Sequence, residues 1–354
     1  MKLSKLLIYQ VDGLVYSFAY GNGRLIYALL DSLALPATES VFAARITRVS
    51  HKARYAFVEY LPDTAGFINL TGHWSDLQAG SFVPVQLMWN GNDSKQPKLR
   101  FGMQLVGKYA VRLSDGAFNL SSKRLSPELL TVLKSRLRID NGKWVIRNSI
   151  TNSDKFDLLI EEMQLLQHQV TSFDLSQQQS MQINGVPNYL KLLRSFPLAN
   201  ECEIFTNNDA IFEAIKAKQD LWQIDTINYD SSLNNINDLA MYDSLTASNR
   251  VALNNGANLE FANLNGIHVV DINSDTLNLP AFSTNYILAD HIHQQICLRN
   301  LQGIILIDFI KNMQAKQQEQ LIVYLQKLFV NDITSTKVLG FSNSGLCEII
   351  RNKF

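Results

Sequence analysis

The chain has no excess of either charge: 32 Lys+Arg face 32 Asp+Glu over 354 residues. A global basic field of the kind that gathers nucleic acid is therefore excluded, and any such surface must be a local patch. Cysteine is scarce. Cys202, Cys297 and Cys347 stand far apart and no CxxC pair occurs. That spacing excludes a sequence-local zinc or redox motif, and the odd count argues against a disulfide framework. No run reaches the ~20 apolar residues that a spanning helix needs. The opening "MKLSKLLIYQVDG" is short, broken by Gln10 and Asp12, and followed by no small-residue cleavage site. It reads as a strand and not as a signal peptide, which points to a cytoplasmic protein. The sequons at Asn69, Asn92 and Asn119 then carry no meaning. What remains is ordinary globular composition, 46% hydrophobic and 18% charged, long enough for two or more domains.

Turn signals punctuate the first strands at Asp12-Gly13 and Gly21-Asn22-Gly23. The second is a hairpin turn and does not complete a dinucleotide-binding pattern. From Glu39 to about Val111 the texture is all-β. "SVFAARITRVS", "RYAFVEYL", "AGFINL", "SFVPVQLMW" and "KLRFGMQLV" suit a five-stranded OB-type barrel. Residues 112–185 mix a helix ("SPELLTVLKSRLR"), a strand ("GKWVIRNSI") and a longer helix capped at Ser153-Asp154. "YLKLLRSF" and "ECEIFTN" are expected as strands, and the Asn-rich stretch 224–258 as loop. The last hundred residues alternate strands and helices, an α/β layer with acidic residues at strand ends.

Two apolar runs end in a carboxylate. "HVVDINS" carries Asp271 and "GIILIDFI" carries Asp308. Carboxylates at the ends of adjacent strands can hold Mg²⁺, which takes one or two protein carboxylates and keeps several waters. Asn273 would share the face of Asp271 on a strand. The same pattern also fits carboxylates that merely end strands at turns. In the barrel, Phe57 and Phe67 lie on successive strands with Lys95 ahead of a later one; exposed rings stack bases and lysine contacts phosphate. Filling the barrel core is the other reading of both rings. Arg147 ends "KWVIR" beside Asn148 and Ser149, a fork suited to phosphate and equally an ordinary surface arginine. His291 and His293 are two apart on a helix, do not face each other, and are read as surface or packing residues.

In order, "RITRV", "YAFVEY", "GFINL", "VGKYAV", "GKWVIRNS", "VVDINS", "STN", "LRNLQGIILIDFI" and "GLCEIIRNK" resemble the ribonuclease E/G family of bacterial endoribonucleases over nearly the whole chain. The resemblance implies an α+β and α/β multidomain chain. A ribonuclease-H-like domain (1–38 and 186–245) would hold an inserted OB-fold RNA-binding barrel (39–111) and a 5′-sensor region (112–185). A deoxyribonuclease-I-like catalytic domain (246–354) would follow. It implies a Mg²⁺-dependent endoribonuclease cleaving single-stranded, A/U-rich RNA in the cytoplasm. The Mg²⁺ ligands would be Asp271 and Asp308 and the active-site amide Asn273. RNA would meet Phe57, Phe67 and Lys95. A 5′ monophosphate would meet Arg147 and Asn148, with backbone support at Gly107 and Val111. A homodimer is compatible with the resemblance; zinc-linked tetramers are not expected, because the Cys-Pro-x-Cys segment is absent. Three departures stand out: Lys311 replaces an acidic residue after the second strand, "DTLNLPAF" replaces a glycine- and arginine-containing loop, and Asn148 replaces the sensor threonine. The rival implied by those departures is a catalytically impaired RNA-binding protein of the same fold.

Overall fold

The computed structural model describes residues 2–352 except 71–76, 92–94, 140, 234–235, 254–255, 265 and 274–278. Residues 275–278, the first half of the loop departure after Asn273, thus lie outside the described residues. The chain is mixed α/β and divides into two compact units. One takes in the chain up to Asp31, Lys191–Ala214 and the chain from Asp225 onward; the other takes in Ser32–Leu190 and Ile215–Ile224.

The chain begins with a meander of β1 (Leu3–Val11), β2 (Leu14–Gly21) and β3 (Arg24–Ser32). Its two-residue turns have positive φ at both positions, 50° and 77° at Asp12-Gly13 and 51° and 72° at Asn22-Gly23. Such turns match the right-handed twist of the flanking strands.

The second unit opens with β4 (Val41–Ser50), β5 (Tyr55–Leu61), β6 (Thr64–Asn69), β7 (Phe82–Trp89) and β8 (Lys98–Phe101). Pairing runs β4-β5-β6-β8-β7 and closes through β4–β7, a five-stranded OB-like barrel. The closure follows from alternation: Phe42, Ala44, Ile46, Ala56, Val58, Ile68, Val85, Leu87 and Leu99 fill the interior. Beyond it come β9 (Leu105–Val106), β10 (Ala110–Ala117), β11 (Asn119–Ser122), α1 (Pro127–Arg136), β12 (Asn141–Ile146), α2 (Phe156–Thr171) and β13 (Ser180–Ile183). Strands β9 to β12 form one sheet in the order β11-β12-β10-β9. The long helix starts at Phe156; Ser153–Lys155 ahead of it is a 3-10 turn capped by Asn152.

The remaining elements are α3 (Asn188–Ser195), β14 (Leu198–Thr206), α4 (Asp209–Lys216), α5 (Gln219–Trp222), β15 (Thr226–Tyr229), α6 (Ile236–Ala247), β16 (Arg250–Ala252), β17 (Asn258–Leu264), β18 (Ile267–Asn273), α7 (Ala281–Leu298), β19 (Gly303–Asp308), α8 (Ala315–Leu328), β20 (Thr336–Phe341) and β21 (Cys347–Arg351). Two expectations fail. "YLKLLRSF" is helical, because Tyr189, Leu192, Leu193 and Phe196 are all buried at a spacing of three and four residues. The Asn-rich stretch holds β15, α6 and β16, since Leu239, Tyr242 and Leu245 find an apolar surface on Tyr16 and Phe18.

The first unit contains two sheets. One is β15-β14-β1-β2-β3, with β1 and β14 parallel; the other is β16-β17-β18-β19-β21-β20. They are tied together within the unit by the Tyr27 hydroxyl, which donates to Asp332 at 2.7 Å. Asp332 is also the buried partner of Arg351, 2.7 Å away.

Candidate functional site

Strands β18 and β19 are parallel neighbours, in register from Ile267 with Ile304 to Asp271 with Asp308. Val270, Ile272, Ile305 and Ile307 are buried on one face. The other face carries Ile267, Val269, Asp271 and Asn273 beside Ile304, Leu306 and Asp308. The two carboxylates therefore stand side by side at the ends of adjacent strands, both half-buried. Asn273 shares their face, and its Nδ2 donates to Asp271 Oδ2 at 3.2 Å. Alternation on one strand brings them together, as the sequence pattern expects.

Three neighbours escaped sequence reasoning. Glu260 on β17 is the register partner of Asp271, so a third carboxylate lies in the same row, 3.6 Å from Arg250. Asn285 of α7 is fully buried and grips the segment after Asp308: its Nδ2 donates to the Ile310 carbonyl at 2.8 Å and its Oδ1 accepts from the Ile310 N–H at 3.0 Å. Thr284 beside it is buried too; the signal for both was the "STN" block. Lys311 is exposed and, among the described residues, forms no ion pair with either aspartate. Among the described residues, no group of three or more His, Cys, Asp or Glu is arranged to hold a metal. The protein thus offers a pair of hard oxygen donors on rigid strands. That donor set fits Mg²⁺, which needs no fuller protein cage.

In the barrel the two phenylalanines do not belong to the core. Alternation turns Phe57 and Phe67 outward, while Ala56, Val58 and Ile68 point in. They face each other across β5 and β6 in register. Register also sets Arg48 beside Phe57 and Lys98 beside Phe67. The outer face therefore carries a row Arg48, Phe57, Phe67, Lys98, with Tyr55 packed edge-on to Phe57 at 5.4 Å. Lys95 is exposed in the connection before β8, and it is Lys98 that stands in the row. Arg48 and Lys98 were missed because cross-strand register is not local in sequence, whereas Tyr55, two residues before Phe57 on β5, could have been found by alternation.

Arg147 and Gly107 are brought together: the Arg147 Nη1 donates to the Gly107 carbonyl at 2.6 Å. Asn148 is exposed beside it. Val111 is held in the sheet, paired with Val145 and Val106. The Gly107 N–H donates to the Ala110 carbonyl at 2.8 Å, closing a tight turn. Glu162 of α2 lies under that turn, 3% exposed. Burial, with the Glu162 charge as a second cause, pushes the Tyr109 phenol in that turn up to about 12. His293 packs as expected of it: it meets Phe329 edge-on at 4.7 Å, and burial lowers its pKa. No helix among the described residues is long and apolar enough to cross a membrane.

Comparison with known proteins shows the family of the chain. The model of the Ribonuclease E/G family matches residues 104–354, a span that holds both aspartates and begins beyond the barrel strand β8. Ribonuclease E of Synechocystis sp. is 26% identical over 301 residues, covering 77% of this chain and 44% of its own length. Ribonuclease E of Haemophilus influenzae is 22% identical over 358 residues, covering 89% of this chain and 38% of its own. Ribonuclease G of Escherichia coli K12 is 33% identical over 110 residues, 29% of this chain and 22% of its own. The chain spans less than half the length of these relatives.

Proposed function

Because the chain belongs to the ribonuclease E/G family, we propose that it is a Mg²⁺-dependent endoribonuclease acting on single-stranded RNA. The observation that carries the reading is the side-by-side register of Asp271 and Asp308 with Asn273 on the same face. In this reading the six-stranded sheet is the deoxyribonuclease-I-like catalytic part. The five-stranded sheet, assembled from two stretches of chain, is the ribonuclease-H-like part.

Asp271 and Asp308 would hold Mg²⁺ through carboxylate oxygens, and the ion would supply activation of a water and compensation of charge at the phosphodiester. Asn273 has a second N–H and a carbonyl oxygen with which to orient water or a phosphate oxygen. The barrel row holds the strand: Phe57 and Phe67 stack bases, while Arg48, Lys98 and the nearby Lys95 meet phosphates. Arg147, with Asn148 and the Gly107–Val111 turn, receives a 5′ phosphate.

The test is cleavage of a 5′-monophosphorylated, fluorescent single-stranded RNA with Mg²⁺, comparing wild type with Asp271→Asn and Asp308→Asn. Metal-dependent cutting that disappears in both variants is the expected result. Wild type that binds the RNA yet never cuts it, with Mg²⁺ or Mn²⁺, would overturn the catalytic reading in favour of an RNA-binding protein that has lost turnover.

A further inference from the structure

The turn Gly107–Ala110 is gripped from two sides. Below it, the Glu162 carboxylate accepts from the N–H of Lys108 at 2.7 Å, of Tyr109 at 2.7 Å and of Ala110 at 3.0 Å. It also accepts from Trp222 Nε1 at 3.1 Å. Four donors occupy both of its oxygens, so the buried carboxylate is fully hydrogen-bonded. The contact is close enough that a side chain at Gly107 would put its Cβ 2.3 Å from Glu162 Oε2. Glycine is required here by the protein's own carboxylate.

Above the turn, three carbonyls of the same residues are taken. Gly107 O accepts from Arg147 Nη1 at 2.6 Å. Lys108 O accepts from Ser149 Oγ at 3.1 Å. Tyr109 O accepts from the Arg147 N–H at 2.8 Å. A trans peptide unit joins the carbonyl of one residue to the N–H of the next in one rigid plane, pointing opposite ways. The three N–H groups on Glu162 and the three carbonyls on Arg147 and Ser149 therefore belong to the same three peptide units. Each plane runs from the carboxylate on one side to the arginine segment on the other. Fixing the planes from below fixes the acceptors that orient Arg147 from above.

We propose that Glu162 is a positioning residue for 5′-phosphate recognition, acting on Arg147 through these three peptide units. The proposal rests on the reading of Arg147 as the 5′-phosphate receptor. Glu162 does not touch RNA. Its carboxylate sets the angle at which the guanidinium is presented, so its loss shows in binding of a phosphorylated end and not at the scissile phosphate.

The experiment compares kcat/KM on two RNAs of one sequence, 5′-monophosphorylated and 5′-hydroxyl, for wild type, Arg147→Ala and Glu162→Gln. Glutamine keeps the size, but its amide N–H₂ faces N–H donors, so the planes lose their common anchor. The expected result is that Glu162→Gln loses the 5′-phosphate preference as completely as Arg147→Ala, through KM rather than kcat. The double variant should lose nothing more. Equal loss on both RNAs would mark Glu162 as merely structural and overturn the proposal. So would a preference that survives Glu162→Gln while Arg147→Ala abolishes it. If wild type does not distinguish the two ends, the reading of Arg147 fails and the proposal falls with it, a result separable from the other two. Should Glu162→Gln not fold, Glu162→Asp keeps the charge but withdraws it by one methylene, and must reduce the preference in part.

Discussion

The row on the outer face of the barrel makes a quantitative prediction. Phe57 and Phe67 face outward and are cross-strand neighbours, so each offers a ring to a base. Base stacking is worth about 1–3 kcal/mol per base. With tenfold in Kd for every ~1.4 kcal/mol, Phe57→Ala or Phe67→Ala should weaken binding of an unstructured single-stranded RNA by roughly 5- to 150-fold. Because the rings are neighbours, the double variant should lose less than the sum of the two. Stability should fall by only about 1 kcal/mol, the worth of a cross-strand aromatic pair, since the packed interior is made of other residues. The flanking cations act differently. Each phosphate contact adds about 0.7 to the slope of log affinity against log salt for single strands. Lys98→Ala and Arg48→Ala should each lower that slope by about this amount. Lys95→Ala, outside the row, should lower it less. The assay is fluorescence anisotropy with a labelled RNA over a series of KCl concentrations. Binding by Phe57→Ala/Phe67→Ala within twofold of wild type would refute the stacking argument. An unchanged slope for Lys98→Ala, with a reduced one for Lys95→Ala, would refute the argument from register.

Other perturbations follow the same geometry. Asn285→Ala leaves the half-buried N–H and carbonyl of Ile310 without their partner, at up to about 1–3 kcal/mol each; a lower urea midpoint together with slower cleavage is expected, because the segment after Asp308 loses its anchor. Asp332→Asn should destabilise by about 3–5 kcal/mol, since Arg351 would be left as a buried charge without its counter-ion; thermal unfolding measures it. Burial alone would raise the Asp332 pKa, but the bonds and charge of Arg351 bring it below the usual carboxylate range. Its stabilisation is therefore present above the unfolded carboxyl value and lost as pH falls through the folded one. Burial lowers the pKa of His293, so between its folded value and the ordinary 6.5 the unfolded chain binds the extra proton. Stability should decline as pH drops from 7 toward 5, and a pH series of melts on His293→Gln should show a shallower decline.

What could be read in advance depended on how local the cause was. Strands β18 and β19 were legible because apolar residues running into Asp271 and Asp308 need no distant partner to define a strand end. The outward setting of Phe57 and Phe67 was half legible: the residue type suggested stacking, and only closure of the barrel decided between core and surface. Lys98 was illegible, because its place beside Phe67 comes from a parallel pairing of β6 and β8, joined through β7. The helices α3 and α6 were misread for complementary reasons. The helical spacing of Tyr189, Leu192, Leu193 and Phe196 was present in the sequence, but over eight residues it covers only about two turns and is easily overlooked beside the strand-like Leu-rich texture. Asparagine-rich chain has weak helical preference, which packing of Tyr242 against Tyr16 and Phe18 overrides.

Glu162 is the instructive omission. It follows Leu159 by three residues and precedes Met163 on a helix whose buried stripe is Phe156, Leu159 and Met163. A carboxylate on an apolar stripe has to find donors when the helix docks, since burying it unpaired costs far more than the helix gains. That much is a sequence-level signal, and it marks Glu162 as a residue with a buried partner. The partners themselves are mostly backbone N–H groups, which every residue but proline carries, so no side chain announces them. A glycine at 107 was the one visible trace, because a carboxylate pressed on a backbone turn leaves no space for a Cβ. Arg147 can be picked out by its chemistry, whereas a residue acting on it through peptide planes leaves in the sequence an acid where a leucine would be expected and a glycine where the turn meets it.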